Sequence, residues 1–162
     1  MATTILGVGG YGASGQSGEV LKTFALGSCV AVLAYDPGAK VAGMVHIALP
    51  SSATNKNRAD VLPGYFADRG VPALLEAMAR LRGTSDARGL VIKIAGGANV
   101  MRTGNVFDIG QRNIKAVKTE LRQHGLAPVA AEVGGSISRT VSIEVDTGTV
   151  ILNSPGRDAW SL

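Results

Sequence analysis

One cysteine and one histidine lie within a stretch of two apolar runs joined by a turn, and they are the pair best suited to chemistry. Cys29 is the only cysteine in the 162 residues, and His46 is one of two histidines. A thiol becomes a nucleophile when a base removes its proton, and imidazole is the side chain best suited to that task near neutral pH. We therefore hypothesise that Cys29 is a nucleophile and that His46 is its base.

Three neighbouring residues would complete such a site. Gly27 and Ser28 precede the cysteine, and we expect the backbone there to turn sharply and to expose N–H groups toward a substrate carbonyl oxygen. Thr23 offers a hydroxyl or a carbonyl that can orient the imidazole, which is the third component that such sites usually need. The predicted catalytic residues are thus Cys29, His46 and Thr23, with the oxyanion region at Gly27 and Ser28.

Two strands are expected to position this pair. Residues 30–35 and 41–49 are apolar runs, and Asp36-Pro37-Gly38 between them is typical of a turn. Antiparallel pairing brings His46, late in the second strand, beside Cys29 at the start of the first. Alternation along the second strand places His46 on one face with Ala42, Met44 and Ala48.

A structural interpretation of the same residues stays open. Cysteine is commonly a small buried hydrophobe, and a lone histidine on a strand is often a hydrogen-bonded core group. His124 precedes Gly125 at a predicted helix end, where a histidine favours the helix dipole. One cysteine and two distant histidines give no metal-ligand spacing, so we expect neither a metal nor a cofactor.

Composition restricts the class of protein. At 162 residues with 46% hydrophobic content and 22 glycines, we expect a single domain over residues 1–162. A lone cysteine fits a reducing compartment, and neither a signal peptide nor a membrane-spanning run is recognisable, so we expect a cytoplasmic protein without membrane insertion. The net charge is +4, but the basic residues are scattered singly, which argues against nucleic-acid binding. Nothing indicates an obligate dimer, and we expect a monomer.

The remaining pattern predicts about seven strands and two helices in one α/β or α+β domain. The helices are predicted from residue 68 to 82 and from a capping pair, Asp108 and Gln111, to Gly125. Residues 7–12 spell GxGxxG, but no helical periodicity follows, so we predict a flexible loop there and reject a dinucleotide site. We also expect a glycine-rich, mobile leader over residues 1–19, a polar loop over 51–64 and an irregular tail over 153–162.

At this point the residues resemble those of a known family. The pattern Thr23-x-x-Leu26-Gly27-Ser28-Cys29-Val30, then Asp36-Pro37, then His46-x-x-Leu49-Pro50, is similar to that of the CheD chemoreceptor glutamine deamidases. The similarity extends over roughly residues 20–152. It includes Tyr65, Asp68, Lys93-Ile94-Ala95-Gly96-Gly97-Ala98, Ile109-Gly110-x-Arg112-Asn113, Val133-Gly134-Gly135, Arg139 and Thr147-Gly148. Two departures are Ser138, where the family often has glycine, and the leader to Gly18, for which we recognise no counterpart.

The resemblance implies a reaction. Members of the family hydrolyse selected glutamine side chains on the cytoplasmic part of methyl-accepting chemotaxis receptors to glutamate, and some also cleave receptor methyl esters. The cysteine, histidine and threonine of the family fall on Cys29, His46 and Thr23 of this sequence. A thioester intermediate on the cysteine follows from such chemistry.

The resemblance also implies a fold and a partner. The fold is an α+β mixed β-sandwich flanked by helices in α/β/β/α layers, similar to the catalytic domain of cytotoxic necrotizing factor toxins. The partner in some bacteria is CheC, a phosphatase of the response regulator CheY. The rival hypothesis is therefore a non-catalytic module that binds a CheC-type phosphatase or a receptor. An activated Cys29 should be alkylated quickly near neutral pH, and a merely buried one hardly at all.

Overall fold

Ten strands and three α-helices make up the computed structural model, which describes residues 2–100 and 108–162. In chain order the strands are β1 (Ala2–Ile5), β2 (Tyr11–Ser14), β3 (Glu19–Leu26), β4 (Val30–Asp36), β5 (Val41–Ile47), β6 (Val91–Gly96), β7 (Ala130–Val133), β8 (Arg139–Glu144), β9 (Val150–Ser154) and β10 (Arg157–Ser161). The helices are α1 (Lys56–Val61), α2 (Ala67–Arg82) and α3 (Ile109–Gln123).

The strands form two five-stranded mixed sheets. The first sheet has the order β1-β3-β8-β9-β10, and the second has the order β2-β5-β4-β6-β7. Each sheet contains one parallel pair, β1 with β3 and β6 with β7, and its other pairs are antiparallel. The α+β mixed sandwich that the resemblance implied is confirmed.

The hairpin of β4 and β5 is the centre of the second sheet and forms as the sequence predicts. The carboxylate of Asp36 accepts hydrogen bonds from the N–H groups of Gly38 and Ala39, which closes the turn. The register pairs Ala31 with His46. His46 is therefore directly opposite the residue that lies two positions after Cys29.

Two layers of apolar side chains hold the molecule together. One layer fills the space between the sheets and includes Leu33, Met44, Val141 and Leu152. The other lies between the second sheet and the helices and includes Val32, Ile47, Leu74, Met78 and Val117. Alternation along β4 and β5 sends successive side chains into the two layers in turn, which explains why nearly all residues of both strands are buried.

The two long helices agree closely with their predicted limits. Helix α2 ends at Gly83, which adopts a left-handed φ of +76°. Helix α3 begins after Asp108, whose carboxylate accepts the Gln111 N–H at 3.1 Å, and His124 lies at its C-cap.

Both long helices pack on the second sheet, whereas the resemblance implied helices on both outer faces. Among the described residues, the order of layers is first sheet, second sheet, helices. The outer face of the first sheet explains this difference. Along β8 the outward positions are Thr140, Ser142 and Glu144, and polar side chains of this kind offer no apolar stripe for a helix to cover.

Several segments expected to be irregular are ordered by pairing. Strands β2 and β3 and the tail strand β10 were not predicted, because small or polar residues in β2 and β10 hide any alternation. The polar loop over residues 51–64 contains α1 and two 3-10 turns, Ser52–Thr54 and Pro63–Tyr65. The GxGxxG stretch, expected to be a flexible loop, leads into strand β2 and not into the helix that a dinucleotide site requires.

Within residues 2–100 and 108–162, the helices are all too short or too polar to span a bilayer.

Candidate active site

The three predicted catalytic residues come from three parts of the sandwich, and the structure brings Thr23 and His46 into direct contact. Thr23 lies on β3 in the first sheet, His46 lies on β5 in the second, and Cys29 lies in the connection just before β4. Residues directly opposite on paired strands share a face, as do residues two apart. Cys29 and His46 therefore both face the space between the sheets, where Cys29 is half-buried against the apolar layer.

The hydroxyl of Thr23 contacts two groups, and together they fix the imidazole tautomer. Thr23 Oγ1 lies 2.6 Å from the carbonyl oxygen of Leu6 and 2.7 Å from Nδ1 of His46. A carbonyl oxygen only accepts, so the single hydroxyl proton of Thr23 is donated to Leu6. Nδ1 of His46 must then carry a proton and donate it to Thr23. The other ring nitrogen, Nε2, is left with its lone pair available for a proton.

Burial keeps His46 neutral. Its side chain is 1% exposed, and Nε2 has no hydrogen-bond partner among the described residues. Desolvation disfavours the imidazolium and lowers the pKa of His46 from 6.5 to about 4. A neutral imidazole whose Nε2 is unprotonated and unpartnered can accept a proton, which is the first requirement of a general base.

Cys29 is also neutral in the free protein. Burial raises the pKa of its thiol, and Nε2 of His46 makes no hydrogen bond to the sulfur. The resting pair is therefore a thiol and an imidazole, and not a thiolate–imidazolium ion pair. Because both groups are neutral at rest, proton transfer must accompany attack on the substrate. The contact between thiol and imidazole can then tighten when the substrate binds.

The N-terminal leader contributes backbone groups to this site. Leu6 supplies the carbonyl that accepts from Thr23. The N–H of Gly9 donates to the carbonyl of His46 at 2.8 Å, and the N–H of His46 donates to the carbonyl of Gly10 at 3.0 Å. The leader therefore fixes the backbone of the base and the hydroxyl that orients it.

Gly27 and Ser28 form a bend immediately before Cys29, although neither has a left-handed φ. The left-handed φ values occur at Ala25, at 55°, and on the neighbouring strand at Gly96 and Gly97, at 110° and 65°. The carbonyl of Gly27 accepts from the N–H of Ala98 at 2.8 Å. The expected turn at Gly27 and Ser28 is therefore present as a bend, and the hydrogen bond from Ala98 ties it to the segment after β6.

The glycine pair after β6 makes close contact with the cysteine. The N–H of Gly97 donates to the carbonyl of Cys29 at 2.7 Å. A side chain at Gly96 would overlap that same carbonyl oxygen, and its φ also disfavours any other residue. Arg139, buried on β8, donates to the carbonyls of Gly96 and Gly134 at 3.3 and 2.9 Å, which fixes both glycine loops from behind.

Asn113 is a site residue that reasoning from chemistry alone missed. It appeared in the sequence only as part of the family resemblance. A signal was present, because Asn113 lies four and eight residues before Val117 and Leu121 and is therefore a polar residue on the apolar stripe of α3. The backbone carbonyl of Leu6 had no such signal, since a backbone group leaves no trace in the residue types.

Metal ligation has no basis in the described part of the chain, where no three His, Cys, Asp or Glu side chains cluster. His124 is exposed at the end of α3. The chemistry available is that of a thiol, an imidazole and a hydroxyl.

Comparison with known proteins gives one consistent family. Residues 48–154 match the family model described as CheD chemotactic sensory transduction. The chain is 52% identical to the probable chemoreceptor glutamine deamidase CheD of Syntrophotalea carbinolica, over 162 residues and all of both chains. It is 42% identical to the probable chemoreceptor glutamine deamidase CheD 2 of Anaeromyxobacter dehalogenans, over 95% of this chain and 96% of that one.

A more distant relative and one solved structure extend the comparison. The probable chemoreceptor glutamine deamidase CheD of Methanococcus maripaludis is 41% identical over 85% of this chain and 86% of its own. The crystal structure of the Bacillus licheniformis hypothetical protein YfiH covers 78% of this chain and 49% of its own at a TM-score of 0.42 and 10% identity, which is too slight to bear on function.

Proposed function

Because this chain belongs to the CheD family, we propose that it is a protein-glutamine glutaminase that converts glutamine side chains of chemoreceptors to glutamate. One observation supports the proposal beyond the family. The Nδ1–H of His46 is held by Thr23, which leaves the bare Nε2 on the face that also carries Cys29. This arrangement is the one that a cysteine hydrolase needs.

The first half of the reaction forms a thioester. The Sγ of Cys29 attacks the carboxamide carbon of the substrate glutamine while its proton passes to Nε2 of His46. The imidazolium then donates that proton to the amide nitrogen, since an amide anion is a poor leaving group, and ammonia departs. The neutral resting pair suits this order of events, because both groups begin and end the half-reaction uncharged.

The second half consumes water. Nε2 of His46 removes a proton from a water molecule as its oxygen attacks the thioester carbon. The carbon–sulfur bond breaks, and the imidazolium returns its proton to the sulfur of Cys29. The balance is one glutamine side chain and one water converted into one glutamate side chain and one ammonia. A methyl ester reacts by the same two steps with methanol as the leaving group, so we include receptor methylesterase activity in the proposal.

A basic surface on the helix that holds the cysteine loop supports an acidic protein as the substrate. Four exposed basic side chains lie along α3, and within the described residues none has an ion-pair partner: Arg112, Lys115, Lys118 and Arg122. The same helix holds the cysteine loop through Asn113. We propose that this basic α3 face contacts an acidic stretch of the receptor.

The remaining parts of the proposal rest on the family resemblance. The cytoplasmic part of the receptor is the substrate, so the protein is placed in the cytoplasm. It acts as a monomer on that substrate, and it binds a CheC-type phosphatase where one is present. The rival hypothesis of a binding module without catalysis shares these partners but needs no reactive thiol.

Mass spectrometry of a chemoreceptor cytoplasmic fragment tests the proposal. Incubation with the native protein should add about one mass unit at specific glutamines. Cys29→Ala and the nearly isosteric Cys29→Ser should both abolish this gain, whereas both variants should still bind the fragment. A native protein that binds the fragment and leaves every glutamine unchanged would establish the binding module and overturn the deamidase.

A further inference from the structure

Asn113 joins the two segments that carry the cysteine and the histidine. It lies on α3 and is fully buried. Its Nδ2 donates to the carbonyl of Ser28 at 2.9 Å and to the carbonyl of Ala48 at 2.9 Å. Ser28 immediately precedes the cysteine, and Ala48 lies two residues after the histidine. A single side-chain amide thus connects both segments, although Asn113 is 85 residues from Ser28 and 65 residues from Ala48 in the sequence.

The hydrogen bonds of this amide show that its NH₂ group, and not its oxygen, accounts for an asparagine at this position. Two carbonyl oxygens can be satisfied only by the NH₂ group, so the orientation of the side chain is fixed by its partners. Its Oδ1 is buried and has no partner among the described residues. An unsatisfied buried oxygen is costly, and an apolar residue would avoid it. The two hydrogen bonds that Asn113 donates are therefore the reason for an amide at this position.

The bond to Ser28 orients the following N–H. The Ser28–Cys29 peptide is trans, because the described residues contain no cis peptide bond. In a trans peptide the C=O and the N–H point in opposite directions. The Ser28 carbonyl points toward α3, which covers the helix side of the second sheet. The Cys29 N–H consequently points to the side away from α3, and the space between the sheets, which the thiol and the imidazole face, lies on that side of the second sheet.

This N–H lacks the partner that strand pairing would normally give it. Cys29 and Gly97 lie one position beyond the last residue pair of β4 and β6, Val30 with Gly96, and the Gly97 N–H does donate to the Cys29 carbonyl. The reciprocal bond is absent from this described stretch. The Gly97 carbonyl is turned onto α3, where a Cβ at Gly110 would lie 2.5 Å from its oxygen. The left-handed φ of Gly97 makes that turn possible.

We propose that Asn113 is a positioning residue that orients the Ser28–Cys29 peptide so that the Cys29 N–H donates to the oxyanion of the tetrahedral intermediate. The inference rests on the proposed glutaminase function and names the part of the fold that prepares its oxyanion site. A donor fixed before the substrate arrives stabilises the developing negative charge without reorganisation. The second bond, to Ala48, keeps the strand that carries His46 in register with this donor.

Comparison of two reactions of the same thiol separates positioning from folding. Glutamine hydrolysis passes through an oxyanion, whereas alkylation by iodoacetamide is a displacement at carbon without one. Asn113→Asp replaces the two N–H donors by at most one O–H donor at nearly constant volume, and Asn113→Leu removes both with an apolar side chain. In both variants we expect the kcat for receptor deamidation to fall about 100-fold. We expect the rate of Cys29 alkylation to change less than about threefold, because it needs no oxyanion donor.

The outcomes are distinct. A parallel fall of both rates would mean that Asn113 only supports the fold, and an unchanged kcat would mean that the Ser28–Cys29 peptide needs no such support. Either result would overturn the inference while leaving deamidation by the native protein intact. A native protein without deamidase activity would instead refute the proposed function, whatever the variants do.

A measurement on the native protein covers the case in which the variants do not fold. A short peptide bearing glutamate γ-semialdehyde adds the Cys29 thiol across its C=O, with the thiol proton passing to the new oxygen through His46. The resulting hemithioacetal places an oxygen where the oxyanion forms. We expect the amide proton of Cys29 to shift downfield in the NMR spectrum when this adduct forms. An adduct that leaves this resonance unchanged would exclude the Cys29 N–H as the donor and would overturn the inference.

Discussion

Oγ1 of Thr23 lies 2.7 Å from Nδ1 of His46 and donates its own proton to a backbone carbonyl. A hydroxyl used in this way can only accept from the imidazole, so the contact selects the Nδ1–H tautomer. The reactive nitrogen is thereby determined by a residue on the opposite sheet. The order of the hydrogen bonds leaves the unprotonated Nε2 of His46 as the nitrogen that can take a proton from Cys29.

Thr23→Val should lower kcat because it removes the acceptor of Nδ1–H while preserving the shape of the side chain. We expect a loss of roughly 10- to 100-fold, since the imidazole can then adopt the wrong tautomer. Thr23→Ser retains the hydroxyl and should stay within about threefold of the native rate. The ¹⁵N NMR shifts of His46 report the tautomer directly. A native-like spectrum and rate in Thr23→Val would show that the hydroxyl has no role in orientation.

The thiol should react with iodoacetamide in the manner of a buried, neutral cysteine. Its raised pKa means that the thiolate fraction at neutral pH lies below that of an ordinary thiol. Fast alkylation near neutral pH, which we expected from an activated cysteine, does not follow from this resting state. The rate should instead keep increasing with pH through about 8.5, the ordinary thiol pKa. N-acetylcysteine serves as the reference, and a plateau at or below neutral pH would indicate an ion pair.

Stability should decrease in mild acid because of His46. Its pKa is about 4 in the folded protein and 6.5 as an ordinary side chain. Between these values the unfolded chain binds more protons than the folded one, so the free energy of unfolding falls as the pH falls. The total contribution is up to about 3 kcal/mol. Urea unfolding at several pH values should show this slope.

The matched variant for this effect is His46→Gln, which lacks the titrating group. Its free energy of unfolding should vary less with pH than that of the native protein between about pH 6.5 and 4. Equal slopes in the two proteins would assign the acid sensitivity to carboxylates elsewhere.

Gly96→Ala should be strongly destabilising. The new methyl group would overlap the Cys29 carbonyl oxygen, and the φ of 110° disfavours alanine. We expect a loss of about 2–4 kcal/mol in urea unfolding. Gly89→Ala is the control, because Gly89 has a φ of +86° but open space around it. That variant should lose only about 1 kcal/mol. Similar losses in both would mean that backbone strain, and not contact with the cysteine loop, dominates.

Charge reversal on the basic α3 face should weaken substrate binding without affecting the chemistry. Lys118→Glu is expected to raise KM for a receptor fragment by about threefold, with kcat unchanged. Added salt should raise the native KM and reduce the difference, because exposed charges are screened. Lys40→Glu, in the turn at the other end of the hairpin, changes the net charge equally and should leave KM unchanged. Equal effects of the two variants would indicate long-range attraction and no specific docking at α3.

The sequence predicts those parts of the fold that depend on strong periodicity. The hairpin of β4 and β5 and both long helices were found close to their expected limits, because apolar alternation, turn residues and caps all agree there. Strand β2 escaped prediction because the three residues after Tyr11 are small and the strand gains its order from pairing with β5. Strand β10 likewise depends on β9, and no local pattern reports that pairing.

The candidate site likewise has features that the sequence could predict and features that depend on tertiary structure. Cys29, His46 and Thr23 could be named from residue type and resemblance, and the structure places Thr23 and His46 in direct contact. The raised pKa of the thiol could not be anticipated, since it depends on how the loop is buried. The carbonyl of Leu6 and the turned Gly97 carbonyl were also beyond prediction, because backbone geometry at such points follows from tertiary contacts.

Because the site is distributed over two sheets, its catalytic arrangement depends on complete folding. Thr23 belongs to the first sheet, His46 to the second, and the carbonyl that aligns them comes from the leader. A nascent or partly unfolded chain therefore presents a thiol but no aligned base. Hydrolytic power is acquired only when the sandwich closes, so an immature molecule is protected from attacking its own glutamines or those of its neighbours.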